Sequence, residues 1–335
     1  MRAAPDILAA VKMPRRPKIA MVGAGRVGRA LALRLAEAGY RISEVIGRGS
    51  PKSVAKTRRL ARRVKATASR MSGARLGADV VWFCVPDGQI ASAAGELARF
   101  DWRGKFAFHA SGARSSNELA ILRERGAKVA SLHPLMTFIP GVAPELAGAT
   151  FAVEGDPQAV SVAADIVHGL GGNLLRLRQQ NKAAYHAFAT LACPLLLSLL
   201  AANEKAGALA GISRLRARRA MFPIIRQTLA NYEKFGAEDA FTGPIARGDE
   251  ETIRKHLTSL ETLPETQALY IALARAALQY LPKPGAEAID ETLRQFFFSN
   301  LAKPLRLLRS KALNRGTLGT VAKIAKKSEG AWRRV

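Results

Sequence analysis

The chain has 335 residues, 48% of them hydrophobic, enough for two domains with cores of their own. Its two cysteines, Cys84 and Cys193, both lie in apolar segments, which excludes a disulfide scaffold and points to a reduced, cytoplasmic setting. The formal charge of +26 is local: Met1–Lys18 carries +4, Arg48–Arg75 carries +10 with no acid, and Leu301–Val335 carries +9.

Residues 1–16 read as a basic arm. Pro5, Pro14 and Pro17 interrupt this region and no long apolar run follows, so no secretory signal is expected. Ile19–Val22 is a short apolar strand that runs into Gly23-Ala24-Gly25-Arg26-Val27-Gly28 and then into a leucine-spaced helix ending before Gly39. Strand, G-x-G-x-x-G and helix together make a dinucleotide fingerprint. Gly23 permits the tight turn, Gly25 lets the backbone approach a pyrophosphate, and Gly28 lets the helix pack on the strand. The pyrophosphate is expected on the N–H groups of the helix N-terminus, around Gly25, Arg26 and Val27.

A second strand, Ile42–Gly47, follows. An acid about 20 positions past the fingerprint would hold the ribose 2′-hydroxyl of NAD. The chain instead reads Gly47-Arg48-Gly49-Ser50-Pro51-Lys52, where Arg48 and Ser50, with Lys52, suit a 2′-phosphate. NADP is therefore favoured over NAD. Arg58–Arg63 reads as the basic face of an exposed helix. The strand over 78–85 is continuously apolar, as in a parallel sheet covered on both sides. Val85, Pro86 and Asp87 end it at the carboxyl edge, where such sheets bind ligands. Strands at Lys105–His109 and Lys128–Leu132 bring His109, Ser111 and His133 to the same edge. Thr150–Val153 and Asn173–Leu177 are two further strands around a helix from Pro157 to Leu170.

Beyond Arg178 the periodicity is helical only. Helices are expected over Asn181–Gly207, with Pro194 inside, over Ser213–Phe235, Thr252–Leu260 and Glu265–Leu281. The apolar run Ala187–Ala202 is shorter than the ~20 residues of a membrane span and reads as a core or dimer helix of a soluble protein. The polar loop Phe241–Asp249 is a candidate functional loop. After Asn300 the tail is basic and aperiodic. The basic segments lack aromatics to stack on bases, with only Trp332 in the tail, so nucleic-acid association is the less favoured reading of the charge.

Taken together, Gly23–Gly28, Val85-Pro86-Asp87, His109-Ala110-Ser111-Gly112, Ser131–Leu135 with Thr137-Phe138, Tyr185-His186, and Thr242–Asp249 with His256-Leu257 resemble the Rossmann-like proteins fused to domain of unknown function 2520. Over residues 17–285 the chain is similar in architecture to the 6-phosphogluconate dehydrogenase-like, pyrroline-5-carboxylate reductase-like and deazaflavin-dependent NADP reductases. The resemblance implies an α/β fold: an amino-terminal Rossmann-like, doubly wound, mostly parallel sheet over 17–178, then an all-helical substrate and dimerisation domain over 179–300. It also implies an NADP-dependent oxidoreductase acting on a small carbonyl, imine or hydroxy-acid compound. The β-hydroxyacid dehydrogenases carry a Lys and an Asn four apart on the helix facing the nicotinamide. Here Lys182 takes the first place, as proton donor, and His186 stands at the second.

The catalytic candidates are therefore Lys182, His186, His133 and Ser111. His109, Tyr185, Thr242, Gly243, Pro244, Arg247 and Asp249 are candidates for binding a small, anionic substrate, with Arg247 and Asp249 also a candidate ion pair. His168 reads as structural, and no histidine pair has zinc-ligand spacing. A dinucleotide sensor without turnover is the competing reading.

Overall fold

The computed structural model describes residues 16–281 and 285–298; the expected basic arm, apart from Arg16, and the basic tail from Leu301 lie outside the described residues. Eight strands form one sheet: β1 (Ile19–Val22), β2 (Ile42–Gly47), β3 (Thr67–Arg70), β4 (Val80–Phe83), β5 (Phe106–His109), β6 (Lys128–Pro134), β7 (Thr150–Gly155) and β8 (Asn173–Arg176). Their order is 3-2-1-4-5-6-7-8. Neighbours among the first six pair in parallel, β7 is antiparallel to β6, and β8 is again parallel to β7. The order 3-2-1-4-5-6 is that of a doubly wound dinucleotide fold.

Helices α1 (Arg26–Glu37), α2 (Pro51–Arg63), α3 (Ile90–Leu97), α4 (Ala120–Glu124) and α5 (Pro157–Gly169) cover both faces. Alternate strand residues point to opposite sides. Ile19, Met21, Val80, Trp82, Phe106 and Phe108 pack with leucines of α1 and α2 and with α5. Ala20, Val22, Val81, Phe83 and Ala107 pack with α3 and α4. This two-sided burial is why the central strands read as unbroken apolar runs. Each large core side chain contributes about 1.5–3 kcal/mol on leaving water.

The register sets one transverse row. Ile46, Val22, Phe83, His109, Ser131 and Glu154 are successive partners across β2, β1, β4, β5, β6 and β7. The fingerprint begins one residue beyond this row on β1, and the polar members of the row lie two to four strands away.

The chain divides into two compact units between Pro194 and Leu195. The expected boundary at 178 precedes α6 (Lys182–Thr190), which joins the first unit through the buried Lys182 and Tyr185. The second unit contains α7 (Leu196–Leu209), α8 (Arg214–Ala240, broken at Gly236), α9 (Pro244–Arg247), α10 (Glu250–Ser259), α11 (Pro264–Tyr280) and a further helix over 286–298. Its core holds Ile253, Leu257, Ile271, Ala274, Ile289 and Leu293. Glu204 of α7 accepts from Arg214 and Arg218 at 2.5 and 2.6 Å, tying α7 to the start of α8.

Three expectations are corrected. The single α-helix from Asn181 is interrupted by a π turn at Leu191–Leu195 holding Pro194; proline has no N–H for the α ladder, and the wider turn accommodates it. The helical run Gln179–Leu209 has 31 residues, long and apolar enough to cross a membrane by length and composition, and only 11% of its most apolar window is buried, so it is not a core helix. β3, absent from the sequence reading, is a polar, exposed edge strand, Thr-Ala-Ser-Arg.

Gly28 lies in the first turn of α1, where a Cβ would fall 2.1 Å from the Gly23 carbonyl oxygen and 3.0 Å from Cys84 Cβ. Gly28→Ala is expected to destabilise the fold by about 1–3 kcal/mol, read as a lower midpoint in a thermal melt.

Candidate active site

The fingerprint forms the floor of a cleft of about 550 Å³. Gly23 has φ +103°, and a Cβ there would lie 2.6 Å from the Cys84 carbonyl; a side chain is excluded both by strain and by contact. Gly25 differs, because its nearest neighbour would be 3.9 Å away. The protein does not need a glycine there, but a ligand pressed against the backbone does. Gly25 precedes α1 and no side chain caps that helix, so its first N–H groups remain to be satisfied. Gln89 also lines the cleft, while its Oε1 is buried with no hydrogen-bond partner among the described residues. An uncapped helix start and a bare glycine in one cleft fit a dinucleotide.

Gly23, Gly25, Arg48, Ser50, Val85 and Pro86 all line this cleft. Lys52, Ser53 and Lys56 join them beyond β2, and no acid follows β2 there. Ser50 also caps α2, accepting from the Ser53 N–H at 3.4 Å, with Pro51 in the first turn. Gly28 is buried below the fingerprint, Val27 packs on the core, and Arg26 points away from the cleft floor into a neighbouring cavity. Asp87 opens a short 3-10 turn after β4 and is exposed.

Two strands along, a second constellation forms within the same unit. Lys182 is 3% exposed, and its Nζ donates to the Ser111 carbonyl at 2.9 Å and to Ser131 Oγ at 2.7 Å. Ser131 Oγ in turn donates to the Ser111 carbonyl at 3.2 Å. An ammonium has three N–H bonds, so one remains to donate. Burial lowers the Lys182 pKa to about 8, opposed by the negative charges of Glu154 and Asp87. Glu154 is buried and accepts from the N–H and hydroxyl of Ser116 at 2.7 and 2.9 Å.

His133 Nδ1 shares a hydrogen bond of 2.7 Å with the Tyr185 hydroxyl. Burial brings His133 down to about 4, with the Lys182 and His186 charges acting the same way, and burial raises Tyr185 to about 12. Both groups are therefore neutral at pH 7. His186 stands 6.4 Å from His133 between ring centres. The two rings meet over Gly112, where a Cβ would lie 2.6 Å from His186 Cδ2 and 3.0 Å from His133 Nε2. Lys182, Tyr185 and His186 reach this cluster from one turn of α6.

Two expected roles are corrected here. His109 is fully buried; its Nε2 donates to the Ser115 carbonyl at 2.9 Å and its Nδ1 accepts from the Ser111 N–H at 3.2 Å. With both nitrogens engaged it has none for a substrate, and burial brings its pKa to about 4. Ser111 Oγ accepts from the Ala113 and Arg114 N–H groups at 3.2 and 2.9 Å, so it shapes the turn, while its carbonyl holds Lys182.

In the second unit, Pro244 and Arg247 bound the short α9, Gly243 caps it at φ +96°, and Thr242 lies just before the cap. Asp249 caps α10, accepting from the Thr252 N–H at 3.0 Å and hydroxyl at 2.7 Å. The expected Arg247–Asp249 ion pair is replaced by this cap, and the Thr252 bonds lower the Asp249 pKa. His256 lies on α10, 3.1 Å from the Tyr270 hydroxyl. Sequence reasoning gave no role to Ser131, Glu154, Lys56 or Gln89. Only Ser131 lay in a motif already marked.

Two family models match the chain. Residues 18–107 match NADP oxidoreductase, coenzyme F420-dependent, and residues 149–277 match DUF2520, a domain of unknown function. The match to the NADP oxidoreductase model thus precedes the match to the DUF2520 model. No curated protein matches. Among solved structures, a Bacteroides fragilis protein provisionally named an NADP oxidoreductase aligns at 21% identity and a TM-score of 0.64, over 78% of this chain and 98% of its own. Protein TM1727 of Thermotoga maritima aligns at 21% and 0.60, over 83% and 98%. Plasmodium falciparum pyrroline carboxylate reductase with NADP bound aligns at 15% and 0.51, over 84% and 99%. These likenesses establish the shared fold.

His109 and His133 lie near pH 4 when folded and near 6.5 in the unfolded chain, so the unfolded state takes up protons first as the pH falls. Stability is expected to be full above pH 6.5, to drop by a few kcal/mol as pH falls toward 4, and to level off below. Denaturant midpoints across this range check it, with His133→Asn giving the shallower fall.

Proposed function

We propose that this protein is an NADP(H)-dependent oxidoreductase that moves a hydride between the nicotinamide and a small carbonyl, imine or hydroxy-acid compound. The observation that carries the reading is the transverse row. It puts the uncapped start of α1 and the buried Lys182 on one edge of one sheet, about three strand spacings or 14 Å apart. The backbone at Gly23 and the N–H groups of Gly25, Arg26 and Val27 at the start of α1 would hold the pyrophosphate, Arg48, Ser50 and Lys52 the 2′-phosphate, and Val85, Pro86 and Asp87 the middle of the cofactor. The nicotinamide supplies or accepts the hydride.

Lys182, charged below a pKa of about 8, uses its remaining N–H to give a proton to the developing alkoxide or amine and takes it back in the reverse direction. The Ser111 carbonyl and Ser131 hydroxyl hold the Nζ in place. Tyr185 and His133, neutral and bonded to each other, form one wall of the site, with His186 beside them.

The setting is a homodimer in the cytoplasm. Phe188, Leu191, Leu197, Ile224 and Leu229 are each more than half exposed, and apolar area of this kind marks an association surface. A dimer mass in light scattering is expected, and a monomer overturns this part.

Titration with NADPH and NADH tests the cofactor reading. NADPH is expected to bind more tightly, and Arg48→Ala to weaken NADPH by about 10- to 100-fold while leaving NADH unchanged; equal loss for both removes Arg48 from the phosphate site. Against a carbonyl and imine panel, reduction is expected to fall above pH ~8, where Lys182 loses its proton. Lys182→Met is expected to abolish turnover with cofactor affinity intact. Tight binding without turnover on any compound assigns a sensor instead.

A further inference from the structure

A second cavity, of about 350 Å³, lies beside the fingerprint between α1 and α2. Arg26 and Arg29 of α1 line it from one side, and Lys56, Arg59 and Arg63 of α2 from the other. No acid is among its lining residues, and none of these five side chains has an ion-pair partner among the described residues. Arg34, farther along α1, is paired with Glu37 and Glu145, and Arg123 of α4 with Asp156.

The arrangement opposes its own stability. Arg26 and Arg29, Lys56 and Arg59, and Arg59 and Arg63 are helical neighbours at i,i+3 or i,i+4, where like charges repel. α2 has six cations and no acid, so nothing within the helix offsets this. Lys52, Lys56, Arg59 and Arg63 recur at helical spacing along one face, and Lys52 and Lys56 also line the cofactor cleft. The basic stripe therefore runs past the end of that cleft and converges with Arg26 and Arg29 on a concave surface. Leu60 forms its apolar floor, and Ile139 and Pro140 rim it. Concavity, five uncompensated cations and a short apolar floor suit a compact anion of high charge. They suit a flat, extended partner less well.

We propose that this cavity is a second anion site, separate from the dinucleotide cleft, which takes an oligophosphate: a chain of two or three linked phosphates, either free or carried by a nucleotide. Its position against Ala24 and Gly25 puts the bound anion on the flank of the loop whose inner side receives the cofactor.

The test is calorimetric titration of the full-length protein with sodium tripolyphosphate, with and without saturating NADPH. One-to-one binding is expected in both, weakening as salt rises. The triple variant Arg29→Ala/Arg59→Ala/Arg63→Ala should weaken it at least tenfold, whereas Arg48→Ala should leave it unchanged. The triple variant should melt no lower than the parent at low salt, because repulsion is relieved, and this reports folding independently of any cofactor. ATP separates the two sources. Equal affinity means that the phosphate chain alone is read, and tighter ATP means that the nucleoside adds contact at Ile139 and Pro140; either supports the site. Unchanged binding by the triple variant overturns the proposal, as does loss of binding under NADPH, which would place the anion in the cofactor cleft. A single-stranded decanucleotide that binds more than tenfold tighter through the same three arginines also overturns it, in favour of a nucleic-acid surface.

Discussion

A buried ammonium must be solvated by the protein itself, and the way Lys182 meets that demand organises its surroundings. Its two partners, the Ser111 carbonyl and Ser131 hydroxyl, come from the turn after β5 and the middle of β6 and must be presented together. That presentation depends on the turn after His109. The imidazole bonds both the Ser115 carbonyl and the Ser111 N–H, and the Ser111 hydroxyl closes the turn on Ala113 and Arg114. Glu154 contributes from the next strand, both as a counter-charge and as the anchor of Ser116. One charge thus has a shell of neutral dipoles and one fixed carboxylate, the arrangement that lets a lysine be charged and reactive near neutral pH.

The sheet explains how such a shell and a nucleotide cleft share an edge. Parallel strands bring every carboxyl end to one side, and β7, running the other way, inserts Glu154 level with Ser131. The DUF2520 match begins at residue 149, immediately before β7, whereas the compact units divide at 194. The domain of unknown function therefore starts inside the sheet and supplies Glu154, Lys182, Tyr185 and His186 to the first unit.

The nucleotide-binding half was legible in the sequence because its determinants are contiguous: a four-residue apolar strand, Gly23–Gly28, and a leucine-spaced helix. Lys182 and His186 were legible as a pair because the helical period alone sets a shared face. Ser131 and Glu154 were not. Pairing register across separate strands brings them to Lys182, and nothing in their own neighbourhoods marks them out. β3 escaped because an exposed edge strand needs no apolar pattern. The run Ala187–Ala202 was recognised as apolar, but composition does not tell burial by its own chain from coverage by another. Asp249 was taken as an ion-pair partner of Arg247, although an Asp three residues before Thr252 at a helix start is equally the signature of a cap.

The absent side chain at Gly112 has a consequence for proton accounting. Because nothing separates the His133 and His186 rings, positive charge on His186 opposes charge on His133. With burial and the Lys182 charge acting in the same direction, His133 is neutral at pH 7, where Lys182, with a pKa of about 8, keeps its proton.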